Sequence, residues 1–215
     1  MTTVMNPPQL ASETRFVLHH VSWETYEQLL KDYESRSVPR FTYDHGDLEI
    51  RSPSLPHETA SRILSLLVNL ICDEYEIDVI DLGSTTQRRV DLLQGVEPDG
   101  CFYIQNVETM RGVGALDLKI HPPPDLVIEV DITSPSIAKI PIYARLGVPE
   151  IWHFKNDHLV FLRLIKDQYV SVRESVALPG ILAEDVVRFV AESETMKRPQ
   201  WLRAVRKWLR SQHGI

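Results

Sequence analysis

Glu129 and Asp131 stand two residues apart in a run, 126–132, that is otherwise apolar, and their types and spacing are where chemistry would reside. Side chains alternate across a strand, so Asp125, Val127, Glu129 and Asp131 share one face while Leu126, Ile128, Val130 and Ile132 share the other. Two like charges at i and i+2 repel unless a cation, a lysine or a shared proton intervenes. So apolar a run is typical of a strand covered on both faces, although acids on an edge strand would simply turn to solvent. Pro98 and Asp99 repeat the same grammar, a proline and an aspartate before an apolar strand, and bring acids from two strands near each other. His57 and Glu58 fall in the first turn of an expected helix. There an acid also gains from the helix dipole, and a histidine can serve as a cap.

The elements that must position these groups follow from periodicity. Pro122, Pro123 and Pro124 forbid helix and feed the acidic strand in extended, and the turn residues at 133–136 end it and cap a helix reaching to Leu146, where Gly147 stops it. The acids therefore lie at the C-terminal end of the strand, the edge where α/β sheets bind ligands. Upstream, Ser22 caps a helix to about Leu30, and strands at 40–43 and 48–51 form a hairpin through Gly46. A long helix runs to about Tyr75, with Ile63, Leu64, Leu67, Leu70 and Ile71 at helical spacing. Strands are expected at 77–82, 85–90 and 100–104. Downstream come a strand at 150–154, a hairpin at 159–172, a helix at 182–192 and a last helix at 200–210. No long repeat or low-complexity segment interrupts this order.

With 215 residues, 43% hydrophobic and 25% charged, the chain has the composition of an ordinary soluble globular protein. Its divisions are expected to be a loose leader at 1–15, one domain at 16–195, and a basic amphipathic helix at 196–215. Two cysteines, Cys72 and Cys101, have neither the number nor the spacing of a disulfide framework or a zinc site. A reducing, cytoplasmic location and no membrane span are expected. The net charge of −7 argues against non-specific coating of nucleic acid. The last residues nevertheless carry Lys197, Arg198, Arg203, Arg206, Lys207 and Arg210 without an acid, leaving −13 on the rest. Trp201, Leu202, Val205, Trp208 and Leu209 make an apolar stripe on that helix, expected to dock on the body or on a second subunit and to leave the basic face to guide the phosphates of a polyanion. No nucleophile elbow, P-loop, dinucleotide fingerprint or zinc spacing is present.

Together these motifs, GDLEIRSPS at 46–54 with His57 and Glu58, GSTT at 83–86, VEPD at 96–99, PDLVIEV at 124–130, then Lys139, Tyr143 and GVPEIW at 147–152, resemble the PD-(D/E)XK nuclease superfamily, and within it the Uma-type restriction endonuclease family. The resemblance covers most of the chain. It implies an α/β fold with a restriction-endonuclease-like mixed central sheet flanked by helices, here with an N-terminal helix-hairpin extension and the C-terminal basic helix. It further implies an endonuclease that hydrolyses DNA phosphodiesters. Asp99 and Glu129 would hold Mg²⁺ or Mn²⁺, with Glu58 joining through a water and Asp131 as a further oxygen ligand. His57, Arg51 and Arg88 are the groups expected to meet substrate, and a homodimer is the expected assembly. The superfamily places a lysine two residues after the glutamate, where this chain has Asp131; Lys139 is the candidate to replace it. The alternative that Asp131 favours is an inactive nuclease fold serving as a DNA-binding or assembly module.

Overall fold

The computed structural model describes residues 13–132 and 137–213. The expected cap at 133–136 and most of the expected leader lie outside the described residues. Thr14–Leu18 forms β1, whose first two residues fall within the segment expected to be leader. The remaining strands are β2 (Arg40–Asp44), β3 (Asp47–Ser52), β4 (Ile80–Asp81), β5 (Gln87–Arg89), β6 (Gln94–Val96), β7 (Gly100–Tyr103), β8 (Leu126–Asp131), β9 (Glu150–Lys155), β10 (His158–Ile165) and β11 (Gln168–Val172). The helices are α1 (Trp23–Asp32), α2 (Leu55–Glu74), α3 (Val107–Met110), α4 (Lys139–Leu146), α5 (Ala183–Thr195) and α6 (Arg198–His213).

The strands divide between two sheets. Five are ordered β1-β3-β2-β6-β5 and six are ordered β11-β10-β9-β8-β7-β4. The expected hairpin is present: His45 and Gly46, at φ 50° and 100°, give the double left-handed turn that matches strand twist. It is the middle of the five-stranded sheet rather than an appendage, because β1 pairs with one side of it and β6 with the other. α1 closes this sheet by burying Trp23, Tyr26 and Leu30, spaced i, i+3 and i+7, against Phe41, Tyr43 and Leu48. Ser22 caps it, its side chain accepting from Thr25 N at 3.2 Å.

The six-stranded sheet is mixed, with β8 and β9 parallel and α4 as their crossover. The alternation in β8 sorts its two faces as expected. Leu126, Ile128 and Val130 pack with α2, α5 and α6, while Val127 packs with Ile142, Tyr143 and Leu146 of α4. Glu129 and Asp131 therefore face the α4 side. Asp125 is a structural cap, its carboxylate accepting from Ile104 N at 2.7 Å and Asn106 N at 3.0 Å.

The tryptophan stripe of α6 docks on the body. Trp201, Val205 and Leu209 are buried in the main core, and Trp201 Nε1 donates to Phe189 O at 2.7 Å. Arg210 and Arg206 reach Glu74, at 2.7 and 3.5 Å, at the C-terminal end of α2. Glu58 is at the other end, about 24 Å along the axis at 1.5 Å per residue. That distance argues against the basic face steering phosphates to the acids. Among the described residues no helix is long and apolar enough to cross a membrane.

Removing the docked indole tests this packing. Trp201→Ala should lower the unfolding free energy by about 3–5 kcal/mol, read from the urea midpoint. An unchanged midpoint would mean that α6 is peripheral to the cooperative unit.

Candidate active site

Glu129 occupies the C-terminal end of β8, and its register partner on the parallel neighbour β9 is His153. On the other side β7 pairs Gly100 with Ile128, so Asp99, one residue earlier, lies across from Glu129. Asp99 N donates to Ile128 O at 3.0 Å, and Asp99 Oδ2 accepts from Val130 N at 2.8 Å, which pins the carboxylate to β8. The N-terminus of α2 delivers His57 and Glu58, and the first turn of α4 delivers Lys139 beside the same edge.

The partners of these acids are cations from the protein itself. Asp99 Oδ1 accepts from Arg40 Nη1 and from Arg51 Nη2 at 3.1 Å, and Oδ2 faces His57 Nε2 at 3.1 Å. Burial alone would raise the Asp99 pKa; the His57 hydrogen bond and the charges of Lys139 and Arg51 outweigh it and hold the carboxyl well below the usual carboxylate range. Glu129 accepts from Lys139 Nζ at 2.8 Å on Oε2 and from the Tyr143 hydroxyl on Oε1. Its pKa moves up, chiefly because it is buried, with Lys139 pulling the other way and Asp99 adding to the rise. Lys139 and Tyr143 are one turn apart on α4, so a single helix face serves this carboxylate. Arg40 also bridges to Glu58 Oε1 at 2.7 Å, and Glu58 is the one acid here with a partly exposed side chain, at 31%.

The other expected site residues are placed as follows. Asp131 turns to His153 Nε2 at 2.8 Å; burial pushes its pKa up, but the His153 contact together with the charges of Lys139 and Arg51 outweighs it and the net shift is down. Arg51 is buried, and beyond Asp99 it holds Glu13 at 3.2 Å and lies 3.2 Å from His57 Nε2. His57 has no exposed surface, so in this arrangement neither residue reaches solvent. His57 Nε2 can donate to Asp99 or accept from Arg51 but not both, and its Nδ1 has no hydrogen-bond partner among the described residues. Arg88 lies apart on β5, 3.7 Å from Glu27, and lines an open cleft of about 770 Å³ with Lys31, Tyr33, Arg36 and Glu97. Glu97 joins the two regions: its carboxylate accepts from Phe41 N and Thr86 Oγ1, and its carbonyl accepts from Lys139 Nζ at 3.3 Å.

Sequence reasoning missed Arg40 and His153, and gave Tyr143, one of the residues that carry the resemblance, no role at the site. The available signals were Tyr143 at i+4 from Lys139, and Arg40 opening a strand whose next residues are Phe41, Thr42 and Tyr43.

A family model named Uma2, with the description "Putative restriction endonuclease", matches residues 23–190. The chain belongs to the Uma2 family. The crystal structure of "a putative nuclease belonging to DUF820" from Anabaena variabilis ATCC 29413 is similar at 15% identity and a TM-score of 0.49, covering 75% of this chain and 98% of that one. No curated protein matches the chain.

For this Uma2 member the donor chemistry fits a hard divalent cation, since Asp99, Glu129 and Glu58 offer only carboxylate oxygens. Arg40, a cation bridging Asp99 and Glu58, shows that positive charge is held between two of them. As the side chains stand, no group of three or more His, Cys, Asp or Glu among the described residues is arranged to hold a metal ion.

The ion pairs make a pH-dependent prediction. The folded pKa of Asp99 is depressed, so its stabilisation is complete above the unfolded value of about 3.9 and is lost as pH falls below it. Glu129, with a raised folded pKa, contributes in the opposite sense, losing stability as pH rises through its unfolded value. Asp99→Asn should cost about 3–5 kcal/mol at pH 7 by removing the buried anion that Arg40 and Arg51 share. Its urea midpoint should then fall less than wild type between pH 5 and pH 3. Parallel pH profiles would show that Asp99 is not the group responsible.

Proposed function

We propose that this Uma2 member is a divalent-metal-dependent DNA endonuclease whose reaction centre is formed by Asp99, Glu129 and Lys139. The observation that carries the reading is the convergence of two buried carboxylates from adjacent strands with a lysine ammonium, at the sheet edge where α/β folds bind ligands. Family membership supports the nuclease chemistry.

Asp99 and Glu129 would hold Mg²⁺ or Mn²⁺, with Glu58 joining through a water. Bound there, the ion supplies a Lewis acid for the scissile phosphate and lowers the pKa of the attacking water. Lys139 is held by Glu129 Oε2 and the Glu97 carbonyl, which fixes its ammonium at the rim of the acid pair. There it offsets charge that builds on phosphate oxygens as the water attacks. Tyr143 donates to Glu129 Oε1, fixing the carboxylate and keeping its other oxygen toward Lys139. Asp131, paired with His153, serves as an orienting acid rather than a direct ligand. The cleft beside Glu97, with Lys31, Arg36 and Arg88 on its walls, is the groove through which a DNA strand would approach.

A second reading, a nuclease fold that binds or assembles without cutting, is favoured by the two guanidinium groups already on Asp99 Oδ1 and by Asp131 in the superfamily's lysine position. Nicking of supercoiled plasmid separates the two. Wild type should nick with Mg²⁺ or Mn²⁺ and not with EDTA, Glu129→Ala should fall to background, and Lys139→Ala should lose roughly 10²- to 10³-fold in rate. DNA binding without nicking by well-folded wild type, under any of these metals, would leave the second reading standing.

A further inference from the structure

A carboxylate offers about four lone-pair positions. Those of Asp99 Oδ1 face Arg40 and Arg51, and those of Oδ2 face the Val130 amide and His57 Nε2, which donates there only when it is not accepting from Arg51. A divalent cation that binds Oδ1 therefore has to displace a guanidinium. Val130 N belongs to the sheet and cannot leave without disrupting β8. His57 has no exposed surface, and Arg51 is tied separately to Glu13. Arg40 differs in its placement. Its second nitrogen reaches Glu58, whose side chain opens to solvent. Its Nη1 donates to Pro98 O at 3.3 Å as well as to Asp99, while its buried Nε, like His57 Nδ1, has no hydrogen-bond partner among the described residues. Of the three side-chain donors it is the one nearest the mouth of the site.

We propose that Arg40 is a built-in counter-cation: its guanidinium neutralises Asp99 and Glu58 in the metal-free protein and vacates Asp99 when a divalent cation binds. This rests on the metal reading above and deepens it. The exchange puts a divalent cation in place of a monovalent guanidinium between the same carboxylates, so both acids keep a positive partner in each state. Metal binding is then a competition against a tethered ligand, and the free protein holds its acids in place without a metal. Arg51 stays on Asp99 in both states and keeps the carboxylate aimed at β8.

Calorimetric titration of Mn²⁺ into the full chain, wild type beside Arg40→Gln, tests this. Removing the tethered competitor should tighten Mn²⁺ by at least about tenfold, because a positive charge within a few ångströms of the ion is lost. Melting followed in EDTA and in Mn²⁺ should show the variant less stable than wild type without metal and gaining more from it. Equal Mn²⁺ affinity in both proteins would overturn the role of Arg40 and leave the metal reading intact. No binding by either would remove the metal reading and this one with it. Should the variant fail to fold, wild type alone decides: with saturating Mg²⁺ the Arg40 Nε–H resonance should shift and exchange with solvent while that of Arg51 keeps its protection. An Arg40 resonance unmoved by bound Mg²⁺ would overturn the proposal.

Discussion

Two carboxylates, Asp99 and Glu129, are buried side by side on adjacent strands, and much of the architecture around them exists to make that tolerable. An uncompensated buried charge costs several kcal/mol, and repulsion between neighbours adds to it. Compensation arrives from four elements: Arg40 from β2, Arg51 from β3, His57 from α2, and Lys139 with Tyr143 from α4. Because β2 and β3 belong to one sheet and Asp99 and Glu129 lie at the edge of the other, the cluster is also the joint between the sheets. The register of β2 against β3, set by the His45–Gly46 turn, places Arg40 directly across from Arg51, so both guanidinium groups reach one carboxylate.

Stability alone is a poor reason for such a joint. Well-packed apolar side chains in place of a buried ion-pair cluster are commonly neutral or stabilising, whereas removing one partner is costly. The surroundings supply apolar material in quantity, since Val127, Ile142, Tyr143 and Ile151 pack against the same face of the sheet. A charged cluster in that setting makes physical sense when the charges are used, and perturbed carboxyl groups at a sheet's ligand edge are where use is expected.

The acids were legible because they violate the pattern around them: Glu129 in an apolar run and Asp99 after a proline stand out whatever the fold. The long helices were legible for the opposite reason, that their apolar spacing is regular, as in the Leu64, Leu67 and Ile71 series of α2. The partners of the acids were not. Arg40 lies 59 positions from Asp99 in the chain, and no local pattern separates an arginine that will reach a buried carboxylate from one that will stay in water. The same holds for β1, whose five residues are ordered by backbone pairing to β3 rather than by any alternation of their own. The division into two sheets was hidden because β5 and β6 are three residues each, too short for a period to declare itself.

Asp131 is best understood together with Lys139. A lysine on β8 at position 131 would share a face with Glu129 and lie beside His153, in line with Lys155 across the parallel pair. With Lys139 already on Glu129 Oε2, that would crowd a second ammonium against Arg40, Arg51 and Lys139. An acid at 131 avoids this, and the His153 it holds closes the row of strand residues next to the site. The ammonium that meets Glu129 comes from the helix: Lys139 is anchored by a carboxylate and a carbonyl, and Tyr143 one turn later holds the same carboxylate from the other side. The acid at 131 and the lysine at 139 are in this sense one compensated arrangement, in which the helix supplies the positive charge and the strand is relieved of carrying it.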